Sequence, residues 1–241
     1  MNDNLDQLLK NLKLHRMREI LERELKRAEK TQPSYSDFLA RLLREQEQYR
    51  QERVVLYRVE QAHLPEHWSL ESFPFDRQPG VPVATVKQLA ELDFMVQHRN
   101  IVFIGETGVG KTGLAVGLLI KAIENGYRGL FIRAQELFDE MYASLADRST
   151  RKLIDRLSKV DLLVIDEMGY LNLRPEQSNT FFKLMEERYN RHSTIITTNL
   201  EYDAWYEFLG KKEMVNALLS RLRHYCLTMR IQGPTLRPTE D

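Results

Sequence analysis

Residues 105–112 read Gly-Glu-Thr-Gly-Val-Gly-Lys-Thr, a complete G-x-x-x-x-G-K-T phosphate-binding loop. Glycines at Gly105 and Gly110 allow tight turns, so that backbone N–H groups and the start of the next helix point at phosphate oxygens. Lys111 can then reach the β- and γ-phosphates, and the Thr112 hydroxyl can bind Mg²⁺. The motif predicts a nucleoside triphosphate site. The residues expected to surround the phosphates are Gly105, Glu106, Thr107, Gly108, Val109, Gly110, Lys111, Thr112 and Gly113.

A second chemical element is the apolar run of residues 162–165, which ends in Asp166 and Glu167. Such a run is typical of a strand buried on both faces of a parallel sheet, and this one has the form of a Walker B motif. Two carboxylates at the end of a buried strand are unfavourable unless something compensates their charge. We expect Asp166 to bind Mg²⁺ and Glu167, pointing the other way, to polarise an attacking water. The alternative is that both side chains cap the turn before Gly169.

A third polar residue follows residues 192–198, whose β-branched sequence predicts another strand. Asn199 then stands at the carboxyl end of this strand, which is the edge where open α/β sheets bind ligands. We expect its amide to orient the water or to contact the γ-phosphate. An ordinary turn asparagine after a strand is the alternative interpretation.

Composition limits the class of protein. The chain has 241 residues, enough for one α/β domain with a smaller appendage. Lys and Arg total 35, as do Asp and Glu, so only local clusters can argue for nucleic acid. A single cysteine, Cys226, excludes a disulfide framework and favours a reducing cytoplasm. Because no apolar run approaches about 18 residues and no basic, apolar leader follows Met1, we expect neither export nor a membrane span.

Three stretches differ in pattern: residues 1–64, 65–82 and 83–241. The first predicts a small all-helical domain of two or three helices, with Ser34 or Ser36 as a helix cap. Its apolar stripe, which could be its own core or a partner surface, comprises Leu5, Leu8, Leu9, Leu12, Met17, Ile20, Leu21, Leu25, Phe38, Leu39, Leu42 and Leu43. The second stretch contains four prolines and predicts an interdomain linker, whose aromatic residues dock on the next domain or beside the adenine.

Residues 83–241 alternate helical and strand patterns, which predicts an α/β domain with a parallel sheet between helices. The predicted strands are 101–104, 129–132, 162–165, 192–198 and 225–231. Predicted helices cover 83–97, the run from the phosphate loop to about 125, the sequence from 133 to 158, and 175–190. None of the six histidines forms an H-E-x-x-H motif or another close metal-binding pair.

Together these motifs resemble those of AAA+ ATPases of the DnaC/IstB group, and more closely the IstB-type helper ATPases of insertion-sequence transposition. The resemblance runs nearly end to end. It is carried by Ser36-Asp37-Phe38-Leu39, the phosphate loop, Asp166-Glu167-Met168-Gly169-Tyr170-Leu171, Thr197-Thr198-Asn199-Leu200 and Ser220-Arg221-Leu222-Arg223. The Walker motifs alone indicate only a P-loop ATPase, and the D-E-x-G-Y-L string behind a helical N-terminal domain narrows the choice.

This resemblance implies an Mg²⁺-dependent ATP hydrolase that forms homo-oligomers through ATP-bridged interfaces. Arg221 would be an arginine finger that reaches the γ-phosphate of a neighbouring subunit. Arg223 is a nearby alternative for the arginine finger. The alternative interpretation of Arg221 is an ordinary basic surface residue at the end of a helix. The family has no separate C-terminal lid. Two positions depart from its pattern: Arg237 follows Pro-Thr-Leu where the family has Ser-Tyr-Arg, and Gly113 replaces a bulkier residue.

A local basic cluster precedes the Walker B strand; its candidate DNA contacts are Arg148, Arg151, Lys152 and Arg156, and Lys159 follows them. Such a cluster could contact the phosphates of duplex DNA without reading sequence. Initiator-type AAA+ proteins resemble one another in carrying helices that face a central channel at this point. A solvated helix face is the alternative interpretation.

Three functions are compatible with these patterns. The first is a cytoplasmic ATPase that assembles on duplex DNA with ATP and presents target DNA to a cognate transposase. A second is a DnaC-like loader of a replicative helicase, which would favour single strands and bind the helicase through residues 1–64. The third, a small-molecule P-loop kinase, is disfavoured by the adjacent Asp166 and Glu167, which suit hydrolysis.

Overall fold

The computed structural model describes residues 3–66, 68–169, 171–210 and 212–237. Tyr170 of the D-E-x-G-Y-L string lies outside the described residues, as do the side chains of Lys212 and Arg223. The chain divides into two compact units, residues 1–57 and residues 58–241. Over the described ranges, no helix has the length and apolar character needed to cross a membrane.

The larger unit is built on a sheet of five strands: β1 (Asn100–Gly105), β2 (Gly129–Arg133), β3 (Leu162–Met168), β4 (Ser193–Thr198) and β5 (Cys226–Ile231). Their order across the sheet is β2-β3-β4-β1-β5, and every pairing is parallel. The apolar runs that predicted β1, β3 and β4 are buried. Because neighbouring strands are parallel, the carboxyl ends of these three strands lie side by side at one edge. The predicted α/β fold with a parallel sheet is therefore confirmed.

The helices of this unit are α4 (Val83–Ala90), α5 (Asp93–Val96), α6 (Lys111–Glu124), α7 (Ala134–Ala146), α8 (Thr150–Ser158), α9 (Pro175–Arg188), α10 (Trp205–Leu209) and α11 (Lys212–His224). The single helix predicted over 83–97 is wrong, because Leu92 between α4 and α5 is left-handed, with φ 64°. Arg148, with φ 61°, divides α7 from α8 in the same way. The sequence patterns did not assign α10 and α11.

The smaller unit contains α1 (Asp3–Asn11), α2 (His15–Thr31) and most of α3 (Tyr35–Gln61). The hydroxyl of Ser34 accepts a hydrogen bond from the Asp37 N–H at 3.1 Å, so Ser34 and not Ser36 caps α3. The core of this unit consists of Leu9, Met17, Ile20, Leu21 and Leu42. Other leucines of the predicted stripe are exposed, namely Leu5, Leu8, Leu12, Leu25, Leu39 and Leu43. Only part of the stripe is therefore core, and a partner surface remains an alternative for the rest.

Residues 65–82 pack within the larger unit. Phe73 is buried, and Leu70 lies so close to α6 that a Cβ at Gly117 would be 2.7 Å from its Cδ2 atom. The buried Gln78 side chain donates from Nε2 to the carbonyls of Val109, at 3.2 Å, and Pro234, at 2.9 Å. These contacts join the segment to the phosphate-binding loop and to the residues after β5. The division into 1–64, 65–82 and 83–241 stays a proposal.

Candidate functional site

The phosphate-binding loop connects β1 to α6. Gly108 and Gly110 adopt positive φ angles of 87° and 94°, which favour glycine. Gly105 has a different role from the predicted tight turn. It is the last residue of β1, and a Cβ there would lie 2.4 Å from the carbonyl oxygen of Ile231 in β5. Glycine at this position thus permits close packing of two strands, while Gly108 and Gly110 shape the loop.

Lys111 is the first residue of α6, and its side chain folds back across the loop. The Nζ atom donates hydrogen bonds to the carbonyl oxygens of Gly105, at 2.8 Å, and Glu106, at 2.6 Å. Partial burial lowers the pKa of this ammonium group, the charges of Asp166 and Glu167 oppose that effect, and Arg237 adds to it. A half-buried cation directed across a phosphate-binding loop is suited to bind the β- and γ-phosphates.

Asp166 meets Thr112 where β3 ends and α6 begins. The Thr112 hydroxyl lies 2.9 Å from Oδ1 and 3.1 Å from Oδ2 of Asp166. Only 2% of Asp166 is exposed, and burial raises the pKa of its carboxyl group, although hydrogen bonds from Thr197 and Thr112 favour the charged form. A hydroxyl oxygen and a buried carboxylate that meet at one point are the hard oxygen ligands that Mg²⁺ prefers. These two residues therefore fit the predicted metal site.

Glu167 is exposed, in contrast to the buried Asp166 beside it. Its φ angle is 57°, a left-handed conformation that is uncommon outside glycine. The register of the β3–β4 pairing shifts between Ile165 and Met168, so Glu167 lies in a bulge. The two adjacent carboxylates thus face different surroundings, and Glu167 is the one available to a water molecule.

Asn199 follows the last residue of β4 and is partly exposed. Its Oδ1 atom is buried and has no hydrogen-bond partner within the described part of the chain. A buried amide oxygen without a partner carries a desolvation cost, which a bound water or ligand could offset. This geometry is compatible with the predicted role in orienting water.

One cavity of about 480 Å³ brings most of the predicted residues together. Its lining includes Gly108, Gly110, Lys111, Thr112, Gly113, Asp166, Glu167 and Asn199. Sequence reasoning did not identify Thr197 or Arg133 as part of this site, although both belong to strands that end at this edge. Arg133 is the last residue of β2 and pairs in register with Asp166. Its position at the carboxyl end of a strand is the same signal that indicates Asn199.

Segments before and after the sheet close the cavity. Trp68 and Phe73 line one side, and a Cβ at Gly110 would lie 2.8 Å from the Phe73 ring. Arg237 lines the cavity from the residues after β5, where the Leu236 N–H donates to the Gly108 carbonyl at 2.8 Å. The aromatic residues therefore lie beside the nucleotide cavity while also packing on the loop. Residues 232–237 contain no helix.

Arg221 lies outside this cavity. It is on α11, where its guanidinium forms an ion pair with Glu186 of α9 at 3.2 Å and lies 5.9 Å from the centre of the Tyr189 ring. Its side chain is 43% exposed. A single chain thus does not place Arg221 beside its own phosphate-binding loop. Arg223 is on the same helix, but its side chain lies outside the described residues.

The basic cluster lies at the turn before α8 and along that helix. Arg148, Arg151, Lys152 and Arg156 are all exposed, while the apolar residues Leu153, Ile154 and Leu157 are buried. Arg156 forms an ion pair with Glu140 of α7. Among the described residues, no ion pair joins the other three to an acidic side chain. The available positive charge is therefore concentrated at Arg148, Arg151 and Lys152.

Comparison with known proteins agrees with this arrangement. The model of the family described as IstB-like ATP binding protein matches residues 7–240. The ATP-binding protein of insertion sequence IS21 from Pseudomonas aeruginosa is 34% identical over 236 residues, which are 98% of this chain and 89% of that protein. The solved structure of DnaI has a TM-score of 0.60 at 20% identity, covering 69% of this chain and 92% of that chain. For the DnaC helicase loader the TM-score is 0.54 at 24% identity, with coverage of 73% and 99%.

The two solved structures are too distant in sequence to show more than the fold, which is that of AAA+ proteins. The family model and the IS21 protein, in contrast, extend over almost the whole chain. The larger unit carries the phosphate-binding loop and the Walker B strand of an ATP-binding site in one cavity. The chain therefore belongs to the family of IstB-like ATP-binding proteins.

Proposed function

We propose that this protein is an Mg²⁺-dependent ATPase that forms homo-oligomers on duplex DNA through ATP-bridged interfaces and assists a transposase in target capture. The observation that carries the proposal is the placement of Lys111, Thr112, Asp166 and Glu167 in one cavity at the edge of a parallel sheet. The relation to an insertion-sequence protein supports the transposition setting.

The residues of the cavity would have distinct roles in hydrolysis. The loop amides and Lys111 would bind the phosphates, and Thr112 and Asp166 would hold Mg²⁺, which when bound supplies positive charge beside the β- and γ-phosphates. Glu167, exposed to the cavity, would accept a proton from the attacking water. Asn199, whose buried Oδ1 has no partner among the described residues, would orient that water. These groups suit hydrolysis, since a carboxylate stands where a water molecule can reach it.

The position of Arg221 supports the proposed assembly. The half-exposed side chain lies on α11, away from the cavity of its own chain, where it pairs with Glu186 and lies against the face of Tyr189. An exposed ion pair of this kind contributes little stability, so the guanidinium can exchange Glu186 for a phosphate at modest cost. A neighbouring subunit would then receive Arg221 at its γ-phosphate, which makes ATP part of the interface between copies.

The basic cluster at the start of α8 and along it would bind duplex DNA. Arg148, Arg151 and Lys152 are exposed and have no described acidic ion-pair partner, which suits contact with phosphates. A helicase loader remains the second candidate, because the DnaC structure shares the fold. The near full-length relation to an insertion-sequence protein favours the transposition helper. The two functions differ in the preferred strand state, duplex or single-stranded.

Replacing both Arg151 and Lys152 by glutamine is expected to weaken binding to unrelated duplexes about equally, because phosphate contacts carry no direct sequence information. The slope of log affinity against log salt should flatten by about 0.9 for each DNA phosphate that the variant no longer neutralises. Binding would be measured by fluorescence anisotropy across a salt series, with an ATP analogue present and with several duplexes of different sequence.

The matched control is the double variant Lys87→Gln and Arg191→Gln, which removes the same total charge from exposed positions outside the cluster. Its affinity and salt slope should remain close to wild type. If the two double variants behave alike, the cluster is not the DNA site. Preference for single strands over duplexes would favour the helicase loader.

A further inference from the structure

Thr197 lies between the two acidic residues and is fully buried near the end of β4. Its hydroxyl donates a hydrogen bond to Oδ1 of Asp166 at 2.5 Å and accepts one from the N–H of Glu167 at 3.0 Å. A hydroxyl group has a single proton, so donation to the carboxylate leaves only its lone pairs for the Glu167 N–H. One side chain thus contacts both residues of the Walker B pair, and the direction of each hydrogen bond is determined.

The backbone of Glu167 depends on this contact. With φ at 57°, Glu167 adopts a conformation that costs free energy for a residue with a Cβ atom. The register shift between Ile165 and Met168 interrupts the β3–β4 ladder at this point. The hydroxyl of Thr197 accepts the Glu167 N–H at this bulge, in a partly buried position, and so gives that donor a partner.

Asp166 is held from two sides. Thr112 contacts both of its oxygens, at 2.9 and 3.1 Å, and Thr197 contacts Oδ1 from the neighbouring strand. Removal of the Thr197 hydroxyl alone would leave the Thr112 contact in place. Thr197 is the side chain that accepts the Glu167 N–H, so we expect its removal to displace the Glu167 carboxylate more than that of Asp166.

We propose that Thr197 is a positioning residue for ATP hydrolysis, whose single hydroxyl fixes Asp166 beside Thr112 and holds the backbone of Glu167 so that its carboxylate faces the cavity. The proposal rests on the proposed function, in which Glu167 activates water. It implies that Thr197 affects turnover much more than nucleotide binding, because the Lys111 ammonium group that would bind the phosphates is held by the carbonyls of Gly105 and Glu106 and not by Thr197.

The test compares Thr197→Val, which keeps the shape but removes the hydroxyl, with Thr197→Ser, which keeps the hydroxyl. In the valine variant kcat should fall about 10- to 100-fold, while the Kd for a non-hydrolysable ATP analogue with Mg²⁺ stays within about threefold. The serine variant should recover both values to within about threefold of wild type. Nuclear magnetic resonance provides a readout independent of turnover: the Glu167 amide should exchange slowly in wild type and at least about tenfold faster in the valine variant.

Thr194→Val is the matched control. Thr194 lies on the same strand, is equally buried, and its hydroxyl accepts a hydrogen bond from Nε of Arg188 at 2.9 Å, about 10 Å along the strand from Thr197. This variant should lose stability without a selective loss of kcat. Equal loss of kcat in both valine variants, unchanged kcat in Thr197→Val, or a fast-exchanging Glu167 amide in wild type would each overturn the role of Thr197. Wild-type protein without ATPase activity would instead overturn the proposed function.

Discussion

Replacement of Glu167 by glutamine is expected to lower the rate of ATP hydrolysis by at least about 100-fold while ATP affinity stays within about threefold of wild type. Glutamine has nearly the same shape but cannot accept a proton from water. Glu167 is exposed, so the substitution buries no new polar group, and its effect should be confined to chemistry. Phosphate release under single-turnover conditions and titration with a fluorescent ATP analogue would measure the two quantities.

The control for this experiment is Glu176→Gln, which changes an exposed carboxylate on the first turn of α9, outside the cavity. Its rate should equal that of wild type. Hydrolysis at the wild-type rate by the Glu167 variant would show that another group activates the water. A large loss of ATP affinity would instead assign Glu167 to nucleotide binding.

Replacement of Arg221 by alanine is expected to preserve ATP binding and to lower hydrolysis by about 100-fold or more, as loss of an arginine finger does. Mixing this protein with Glu167→Gln should restore activity, because each variant supplies the group that the other lacks. At equal concentrations, random assembly around a ring or spiral would leave roughly one quarter of the interfaces complete. The measurement is the rate of phosphate release as a function of the mixing ratio.

Glu186→Gln is the matched control for Arg221, since it breaks the same ion pair but keeps the guanidinium. Its hydrolysis should remain near that of wild type. If Glu186→Gln hydrolyses ATP as slowly as Arg221→Ala, hydrolysis depends on the ion pair and not on a guanidinium that contacts the phosphate. Mixtures of the two slow variants that never exceed the sum of their separate rates would exclude a finger supplied by a neighbouring subunit.

Sequence alone predicted the parts of the site that depend on local spacing. The phosphate-binding loop requires its lysine and hydroxyl at fixed offsets from two glycines, and the Walker B strand is a continuous apolar run. Parallel strands then bring Asp166 and Asn199 to one edge, whatever the length of the connections between them. These features could be predicted because a short segment, or a general rule of sheet topology, determines them.

The parts that were missed depend on contacts between distant segments. The register of β3 against β4 decides that Thr197 reaches both Asp166 and Glu167, and no spacing within either strand reveals that register. The pairing of Arg156 with Glu140 depends in the same way on how α7 and α8 pack. Periodicity also located the helices of the smaller unit but not which of their leucines are buried, because only packing decides that.

The measurement that tests the account most directly is the mass of the wild-type particle, determined by sedimentation with a non-hydrolysable ATP analogue, Mg²⁺ and a duplex, singly and together. We expect an assembly of more than two subunits on the duplex only when the nucleotide is bound. The Lys111→Ala protein should keep the mass of the nucleotide-free wild type under every condition, because it lacks the cation that binds the phosphates. The same mass with and without the nucleotide, or assembly of Lys111→Ala equal to that of wild type, would contradict ATP-dependent assembly on DNA.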